Sequence, residues 1–183
     1  MKCAFAYLVS SEIHNYIRKK AIEIDKYINN GFYAAQLPPH VSLKQPFKID
    51  DLAQVEKFFD RLSSEMAPVE IEFRSLYRFA NGIFLDVCNQ STLMEIHKEL
   101  NRRLEHEFKD TKAAHDGDKY HFHATIALQG SDMDNYKNVF EKVNDNNVNL
   151  KYLASEMVMF YYSDDNYSAG SFITYKINKL GKK

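Results

Sequence analysis

Cysteine is nearly absent from this chain, and so is any long hydrophobic run. The 183 residues include only Cys3 and Cys88, which form no CxxC pattern and predict neither a zinc site nor a disulfide framework. No apolar stretch approaches the roughly 20 residues that a membrane-spanning helix needs. The apolar stretch 3–9 is too short for the core of a signal peptide and runs into polar residues. We therefore expect a cytoplasmic protein without a membrane partner.

An excess of charge of either sign is also lacking. The chain has 24 Lys and Arg against 25 Asp and Glu, a formal net charge of −1. This balance argues against a large basic surface for duplex DNA, but it allows a small anionic ligand or one nucleic-acid end in a locally positive groove. With 45% hydrophobic residues the chain can bury a core of its own. We expect a single domain over residues 1–183 that is a monomer.

The apolar residues recur in a pattern that occurs twice. The order strand, helix, strand, helix, strand is predicted once from residue 3 and again about 80 residues later. The strands are predicted at residues 3–9, about 40–48, 69–79, 83–88, about 120–128, 150–162 and 171–179, and the helices at 13–28, 52–66, 93–108 and 133–143. The simplest arrangement is a bilobal α+β fold. It has two pseudo-twofold-related antiparallel sheets, helices outside and a central cleft.

Two local signals refine this prediction. Asn81-Gly82, between two predicted strands, is typical of a hairpin turn. Thr92 and Glu95 are spaced as a capping box, which predicts that the third helix begins near Thr92.

A histidine followed two residues later by a hydroxyl residue occurs in both copies of the pattern. The segments are 40–43 (HVSL) and 123–126 (HATI). Because successive side chains of a strand point to opposite faces, His40 shares a face with Ser42, and His123 shares a face with Thr125. Both segments fall at the same point of the repeat. We therefore expect the two polar faces to meet across a central groove.

The same alternation adds two candidate substrate-binding residues. Lys44 is predicted on the face of His40, where it could hold a phosphate, although a solvated lysine at a strand end is the alternative. His121 is predicted on the face of His123, where it could orient that ring or line the groove. The remaining histidines are predicted to be solvated, on helix surfaces or in a polar loop: His14, His97, His106 and His115.

The two HxSx and HxTx segments resemble the signature of the two-histidine (2H) phosphoesterase superfamily, in particular its bacterial 2′-5′ RNA ligase-like branch. The order of the predicted elements is similar over essentially the whole chain. The resemblance implies a bilobal α+β fold with both motifs on adjacent central strands of a cleft. One departure is Phe122, where many members have a proline before the second histidine; Pro39 keeps it in the first. Members include cyclic phosphodiesterases, ligases and proteins without a known activity.

The residues themselves suit in-line displacement at phosphorus. Such a reaction needs a base at the attacking oxygen and an acid at the leaving oxygen, and two histidines on opposite walls supply both. The Ser42 and Thr125 hydroxyls can donate hydrogen bonds to the non-bridging phosphoryl oxygens. We therefore predict hydrolysis of a 2′,3′-cyclic phosphate, on a nucleotide or an RNA end, to a monoester, without metal or other cofactor. The resemblance favours 2′-phosphate products.

Three alternatives stay open from the sequence. The first is 2′-5′ RNA ligase activity with the same residues. The second is a non-catalytic module that binds nucleotides or RNA ends. The third is a metal-dependent hydrolase that uses His40, His121 and His123 as ligands, although this would leave the repeated hydroxyl residues unexplained.

Overall fold

An eight-stranded sheet forms the centre of the computed structural model, which describes residues 1–29, 32–128, 135–163 and 172–181. The strands are β1 (Lys2–Leu8), β2 (His40–Lys48), β3 (Val69–Phe79), β4 (Gly82–Val87), β5 (His123–Leu128), β6 (Leu150–Ala154), β7 (Glu156–Tyr162) and β8 (Phe172–Lys179). The helices are α1 (Ser11–Asp25), α2 (Leu52–Glu65), α3 (Gln90–Glu107) and α4 (Tyr136–Val143), with a short 3-10 helix at Tyr33–Ala35.

The strand order is β6-β3-β4-β5-β2-β1-β7-β8, and the neighbouring strands are antiparallel. The predicted α+β class is confirmed, and the two predicted sheets are the halves of one continuous sheet. The halves meet where Val41 of β2 pairs with Ala124 of β5. We call this junction the seam. The two strands that carry the motifs are therefore neighbours at the middle of the sheet.

The order of the strands on one side of the seam corresponds to the order on the other. Moving outward from the seam, β5 corresponds to β2, β4 to β1, β3 to β7 and β6 to β8. A twofold repeat of the topology would give this correspondence. The division of residues 1–183 into two lobes stays a prediction.

The main core lies between the helices and one face of the sheet. In β1, Phe5 and Tyr7 are fully buried in this core, whereas Ala4 and Ala6 belong to a smaller cluster on the other face. This division follows from the alternation of side chains along a strand. Each helix contributes its buried stripe to the main core; α1, for example, contributes Ile13 and other aliphatic residues at helical spacing. None of the helices in the described parts of the chain has the length and apolar character that crossing a membrane requires.

Both motif strands are irregular just after the hydroxyl residue. The residues of β2 that pair with β1 jump from Ser42 to Lys44, and those of β5 that pair with β4 jump from Thr125 to Ala127. Such a β-bulge inserts one unpaired residue and reverses the alternation of the side chains beyond it. The sequence pattern therefore predicts faces correctly only up to the bulge.

Two predicted boundaries are wrong. Helix α3 begins at Gln90 after the N-cap residue Asn89, so Thr92 and Glu95 form no capping box at its start. Strand β5 begins at His123, not near residue 120, because the preceding residues belong to the connection from α3. Residues 133 and 171, the predicted starts of the fourth helix and the last strand, lie outside the described residues.

The predicted hairpin between β3 and β4 is present, but its turn lies one residue earlier than Asn81-Gly82. Phe79 pairs with Gly82, which leaves Ala80 and Asn81 as the turn residues. Ala80 adopts a left-handed φ of 46°. Gly82 is required for a different reason: a Cβ atom there would meet the Phe84 ring at 2.5 Å. The glycine allows the Phe84 ring to lie against the backbone near the site described next.

Candidate active site

The four motif side chains are placed on the sheet face opposite the helices, on both sides of the seam: His40, Ser42, His123 and Thr125. Val41 and Ala124 pair across the seam and are fully buried in the main core. The residues on either side of this pair therefore point to the other face. Continuing the antiparallel register by one residue sets His40 across from Thr125, and Ser42 across from His123. Each histidine thus lies near the hydroxyl residue of the other motif.

The two histidines make the same hydrogen bond to their own chain. Nδ1 of His40 lies 2.8 Å from the carbonyl oxygen of Pro38, and Nδ1 of His123 lies 2.8 Å from the carbonyl oxygen of His121. A carbonyl oxygen can only accept, so Nδ1 carries the proton and donates in both rings. In the neutral ring this leaves Nε2 as the proton acceptor. Both imidazoles are therefore fixed in one tautomer and one orientation.

Partial burial favours the neutral imidazole of His40 at physiological pH. Its pKa is lowered to about 4, chiefly because the ring is desolvated. The ring packs against Phe160, with 4.6 Å between the centroids. The positive charges of His123 and Arg18 lower the pKa further, while the Pro38 carbonyl opposes the shift. The effect of His123 on His40 is the one expected for two imidazoles on the paired strands β2 and β5.

His123 is also partly buried, but its charged neighbours differ. Desolvation lowers its pKa, and the positive charge of His121 acts in the same direction. The His121 carbonyl and the carboxylate of Asp86 oppose this shift. Asp86 stands directly across from His123 in the β4–β5 ladder. The imidazolium form is thus favoured by a carboxylate at His123, whereas Arg18 disfavours it at His40.

The aromatic side chains of Tyr77 and Phe84 contact the His123 imidazole. The Tyr77 hydroxyl lies 3.2 Å from Nδ1 of His123, and the Phe84 ring packs edge-on against the imidazole with 4.7 Å between centroids. Burial, with the nearby charge of Asp86, raises the pKa of Tyr77 to about 12, so its hydroxyl keeps its proton. Sequence reasoning missed Tyr77. The hairpin turn was the available signal, but an Asn81-Gly82 loop gives a register in which Tyr77 does not face Phe84.

His121 lies beside His123, as predicted, and its own partner is Asp86. Nε2 of His121 is 2.7 Å from Oδ1 of Asp86, and the two imidazole centroids are 6.4 Å apart with an interplanar angle of 25°. The Tyr77 ring packs edge-on against His121. His121 is half exposed, with 51% of its side chain accessible. The Asp86–His121 pair thus stands at the solvent side of His123.

The expectation that Lys44 shares the face of His40 and Ser42 is wrong. The β2 bulge turns Lys44 to the helix side, where it is fully buried opposite Phe5. Its ammonium forms an ion pair with Asp116 and lies over the Phe47 ring. Lys44 therefore anchors the connection between α3 and β5 (residues 108–122, hereafter the 108–122 connection) and is not available to hold a substrate phosphate.

The helical position of His97 predicted a solvated side chain, but His97 is fully buried. Its Nδ1 donates to the carbonyl oxygen of Leu43, the extra residue of the bulge, at 2.7 Å. Its Nε2 accepts the N–H of Gly117 at 3.1 Å. The bulge removes the Leu43 carbonyl from the regular ladder, and a buried carbonyl needs a partner. His97 therefore ties α3, the bulge and the 108–122 connection together.

A cavity of about 460 Å³ opens beside His123. Its walls come from β2, β3, the 108–122 connection and the first residue of β5. The lining residues are Gln45, Tyr77, Phe79, His115, Lys119, Tyr120, His121 and His123. A volume of this size falls in the range of small-molecule sites. The cavity extends from His123 toward the 108–122 connection. Across the described parts of the chain, no three His, Cys, Asp or Glu side chains form a group that could hold a metal ion.

The fold is that of the two-histidine phosphoesterases, as the resemblance implied. A family model described as the 2′-5′ RNA ligase superfamily matches residues 15–166. The chain belongs to the 2′-5′ RNA ligase superfamily. The match includes both histidine motifs.

Individual relatives are distant in sequence but similar over the full length. A Geobacillus sp. (strain WCH70) protein named "Putative phosphoesterase" is 26% identical over 190 residues, which span 100% of this chain and 98% of the relative. The structure of TT0787 of Thermus thermophilus matches with a TM-score of 0.64 at 11% identity, over 99% of this chain and 98% of that chain. E. coli LigT complexed with 3′-AMP matches with a TM-score of 0.59 at 14% identity, over 99% and 98% of the two chains. At these identities the two structures show the shared fold.

Proposed function

We propose that this protein is a phosphoesterase that hydrolyses a 2′,3′-cyclic phosphate, on a nucleotide or an RNA end, by metal-independent acid–base catalysis. The proposal rests on the equivalent placement of His40 and His123 on either side of the seam. In each ring, Nδ1 is hydrogen-bonded to the carbonyl oxygen two residues earlier. Both reactive Nε2 atoms are thereby left for a ligand. A phosphoryl group between them would have one imidazole on each side.

The surroundings of the two histidines support separate roles. His40, with a pKa of about 4, is the general base: its Nε2 takes a proton from the attacking water as the water oxygen bonds to phosphorus. His123, which Asp86 helps to protonate, is the general acid. Its proton goes to the ring oxygen as the phosphorus–oxygen bond of the cyclic phosphate breaks. The products are one hydroxyl group and one phosphate monoester.

The negative charge of the bound substrate favours the protonated form of His123 that the reaction needs. Both pKa values are low in the free protein because burial disfavours the charged imidazolium. A bound phosphodiester anion raises the pKa of the histidine nearest to it, because an opposite charge favours the charged form. We therefore expect His123 to gain its proton together with the substrate.

The hydroxyls of Ser42 and Thr125 are proposed to bind the non-bridging phosphoryl oxygens. The register sets each hydroxyl residue across from the histidine of the other motif. Donors in that place stabilise the charge that develops on phosphorus oxygens during the displacement. A hydroxyl stays a donor at any working pH, so this contribution does not depend on the protonation of either imidazole.

Comparison with the family supports a nucleotide as the substrate. The matching LigT structure holds 3′-AMP, a nucleotide with a phosphate on the ribose ring. The aromatic cavity beside His123 has room for a nucleoside attached to the reacting phosphate.

The experiment is incubation of the purified protein with adenosine 2′,3′-cyclic phosphate in the presence of EDTA, with the products identified by ³¹P NMR. We expect an adenosine monophosphate monoester, formed at the same rate with and without the chelator. Loss of turnover in EDTA and its return with added zinc or manganese would favour the metal-dependent alternative. Binding without any product would favour the non-catalytic module.

A further inference from the structure

In the 108–122 connection, the basic residues and the acidic residues face different surroundings. Its acidic residues nearest the cavity are engaged elsewhere: Asp116 pairs with the buried Lys44, and Asp118 pairs with Lys98 of α3 at 2.6 Å. The basic residues His115 and Lys119 line the cavity beside His123. No carboxylate is among the lining residues. This wall of the cavity is therefore basic although the whole chain has a net charge of −1.

Lys119 is the cation of this wall that has no partner. It is exposed, and no ion pair or hydrogen bond engages its ammonium within the described residues. Lys44 and Lys98, by contrast, are both neutralised by acids of the same connection. An unpaired ammonium at the wall of a cavity is a point charge to which a phosphate binds.

The part of the cavity between His123 and Lys119 suits a nucleoside. Its walls include the rings of Tyr77 and Phe79, and Phe79 is 69% exposed at the end of β3. Exposed aromatic rings stack on nucleobases of any identity. The cavity therefore offers room for the base and the 5′ side of a nucleotide whose 2′,3′-cyclic phosphate lies at His123.

We propose that Lys119, assisted by His115, forms a subsite for a second phosphoryl group on the 5′ side of the reacting nucleotide. This inference rests on the proposed function and specifies its substrate class: cyclic phosphates that carry another phosphate beyond the ribose. The second phosphate can come from a 5′-phosphorylated mononucleotide or from the phosphodiester that joins the last two nucleotides of an RNA. The chemistry that Lys119 recognises is the same in both.

The test compares three substrates: adenosine 2′,3′-cyclic phosphate, the same nucleotide with a 5′-phosphate, and an adenosine dinucleotide that ends in the cyclic phosphate. For the wild-type protein we expect kcat/KM to be about tenfold higher when the second phosphate is present, the size of one charge-assisted contact. In Lys119→Ala the ratio falls to about one. Lys112→Ala, an exposed lysine of the same connection that does not line the cavity, keeps the wild-type ratio.

The arms of the test also separate the two sources of the phosphate. A preference for the 5′-phosphorylated mononucleotide alone assigns the subsite to a terminal phosphate dianion. A preference for the dinucleotide as well assigns it to RNA ends. Because the contact is an exposed charge pair, both preferences weaken as the salt concentration rises.

A binding measurement keeps this inference distinct from the proposed hydrolysis. Calorimetry compares adenosine 2′,5′-bisphosphate with adenosine 2′-monophosphate, and neither ligand needs turnover. Tighter binding of the bisphosphate that is lost in Lys119→Ala supports the subsite even if no cyclic phosphate is hydrolysed. Equal binding of the two ligands, or equal kcat/KM for all three substrates, overturns the subsite while hydrolysis itself stands.

Discussion

His40 and His123 are alike in the bond that fixes their tautomer and different in the charges around them. Each donates Nδ1–H to the carbonyl oxygen two residues earlier. The ring of His40 faces Phe160 and the charge of Arg18, whereas His123 faces Tyr77, Phe84 and the carboxylate of Asp86. Two positions that are equivalent in the topology are thereby suited to opposite tasks.

Removing the charge of Asp86 should move one limb of the pH–rate profile. Asp86 raises the pKa of His123, so Asp86→Asn lowers that pKa. With His123 as the acid, the alkaline limb of the kcat/KM profile moves to lower pH, while the acidic limb moves little. Glu70→Gln, which removes an exposed carboxylate of β3, is the matched control and should leave both limbs in place. A shift of the acidic limb alone would reverse the assigned roles.

The partly buried, neutral His40 should make the folded protein sensitive to acid. Its pKa is about 4 in the folded state and about 6.5 in an unfolded chain. Between these values the unfolded state binds the proton more readily, so the free energy of unfolding falls as the pH drops through this window. At pH 5 the contribution of His40 should be about 2 kcal/mol smaller than at pH 7.

Denaturant unfolding at pH 7 and pH 5 measures this effect. His40→Gln, which cannot titrate, should lose most of the about 2 kcal/mol difference. His106→Gln, at an exposed position of α3, should keep it. An unchanged pH dependence in His40→Gln would show that His40 is not a partly buried, neutral group.

At the scale of elements, the two bulges decide which residues reach the site. Strict alternation from His40 places Lys44 in the groove, but the bulge turns it to the helix side. Nothing in the residue types of β2 indicates the extra residue, because Leu43 fits a regular strand equally well. His97 was predicted to be solvated for a related reason: its burial depends on the bulge carbonyl and on Gly117, both far away in sequence.

The hairpin between β3 and β4 shows a similar limit. Asn81-Gly82 predicts the turn, but the chain turns at Ala80 and Asn81, with Ala80 at a φ of 46°. Moving a two-residue turn by one position shifts the pairing of the two strands by two residues, so an Asn81-Gly82 turn would place Tyr77 across from Asp86 instead of Phe84. The role of Tyr77 could therefore not be deduced from the turn signal. The sequence correctly predicted the bounds of β2 and the shared face of each histidine and its hydroxyl residue, because both depend on the local alternation of side chains.

The buried pair of Lys44 and Asp116 should stabilise the fold far more than its exposed counterpart. Asp116→Asn leaves the Lys44 ammonium buried without its partner, which should cost about 3 kcal/mol of unfolding free energy. Asp118→Asn breaks the pair with Lys98 and should cost far less, because the Lys98 and Asp118 side chains are 57% and 82% exposed and solvent screens their charges. Chemical denaturation measures both variants. Equal losses would show that the buried pair does not anchor the 108–122 connection.

At the scale of the whole molecule, one sheet brings two distant segments of the chain to a single site. His40 and His123 are separated by about one repeat in sequence, yet Val41 and Ala124 pair at the centre of the sheet. The repeat of elements predicted this meeting. It did not predict that the two sheets are continuous, because the junction depends on one ladder between strands with no local connection. The family match over residues 15–166 is consistent with a site that needs both halves.

The acid–base roles of the two motif histidines are tested by the turnover of adenosine 2′,3′-cyclic phosphate by folded single variants of each, in EDTA. His40→Ala and His123→Ala each remove one proton-transfer partner, so kcat should fall about 10²–10⁴-fold in each. His106→Ala, an exposed histidine of α3, is the matched control and should keep the wild-type rate. Circular dichroism establishes that each variant is folded. Full turnover by a folded His40→Ala or His123→Ala protein would contradict the central claim that these two imidazoles perform the reaction.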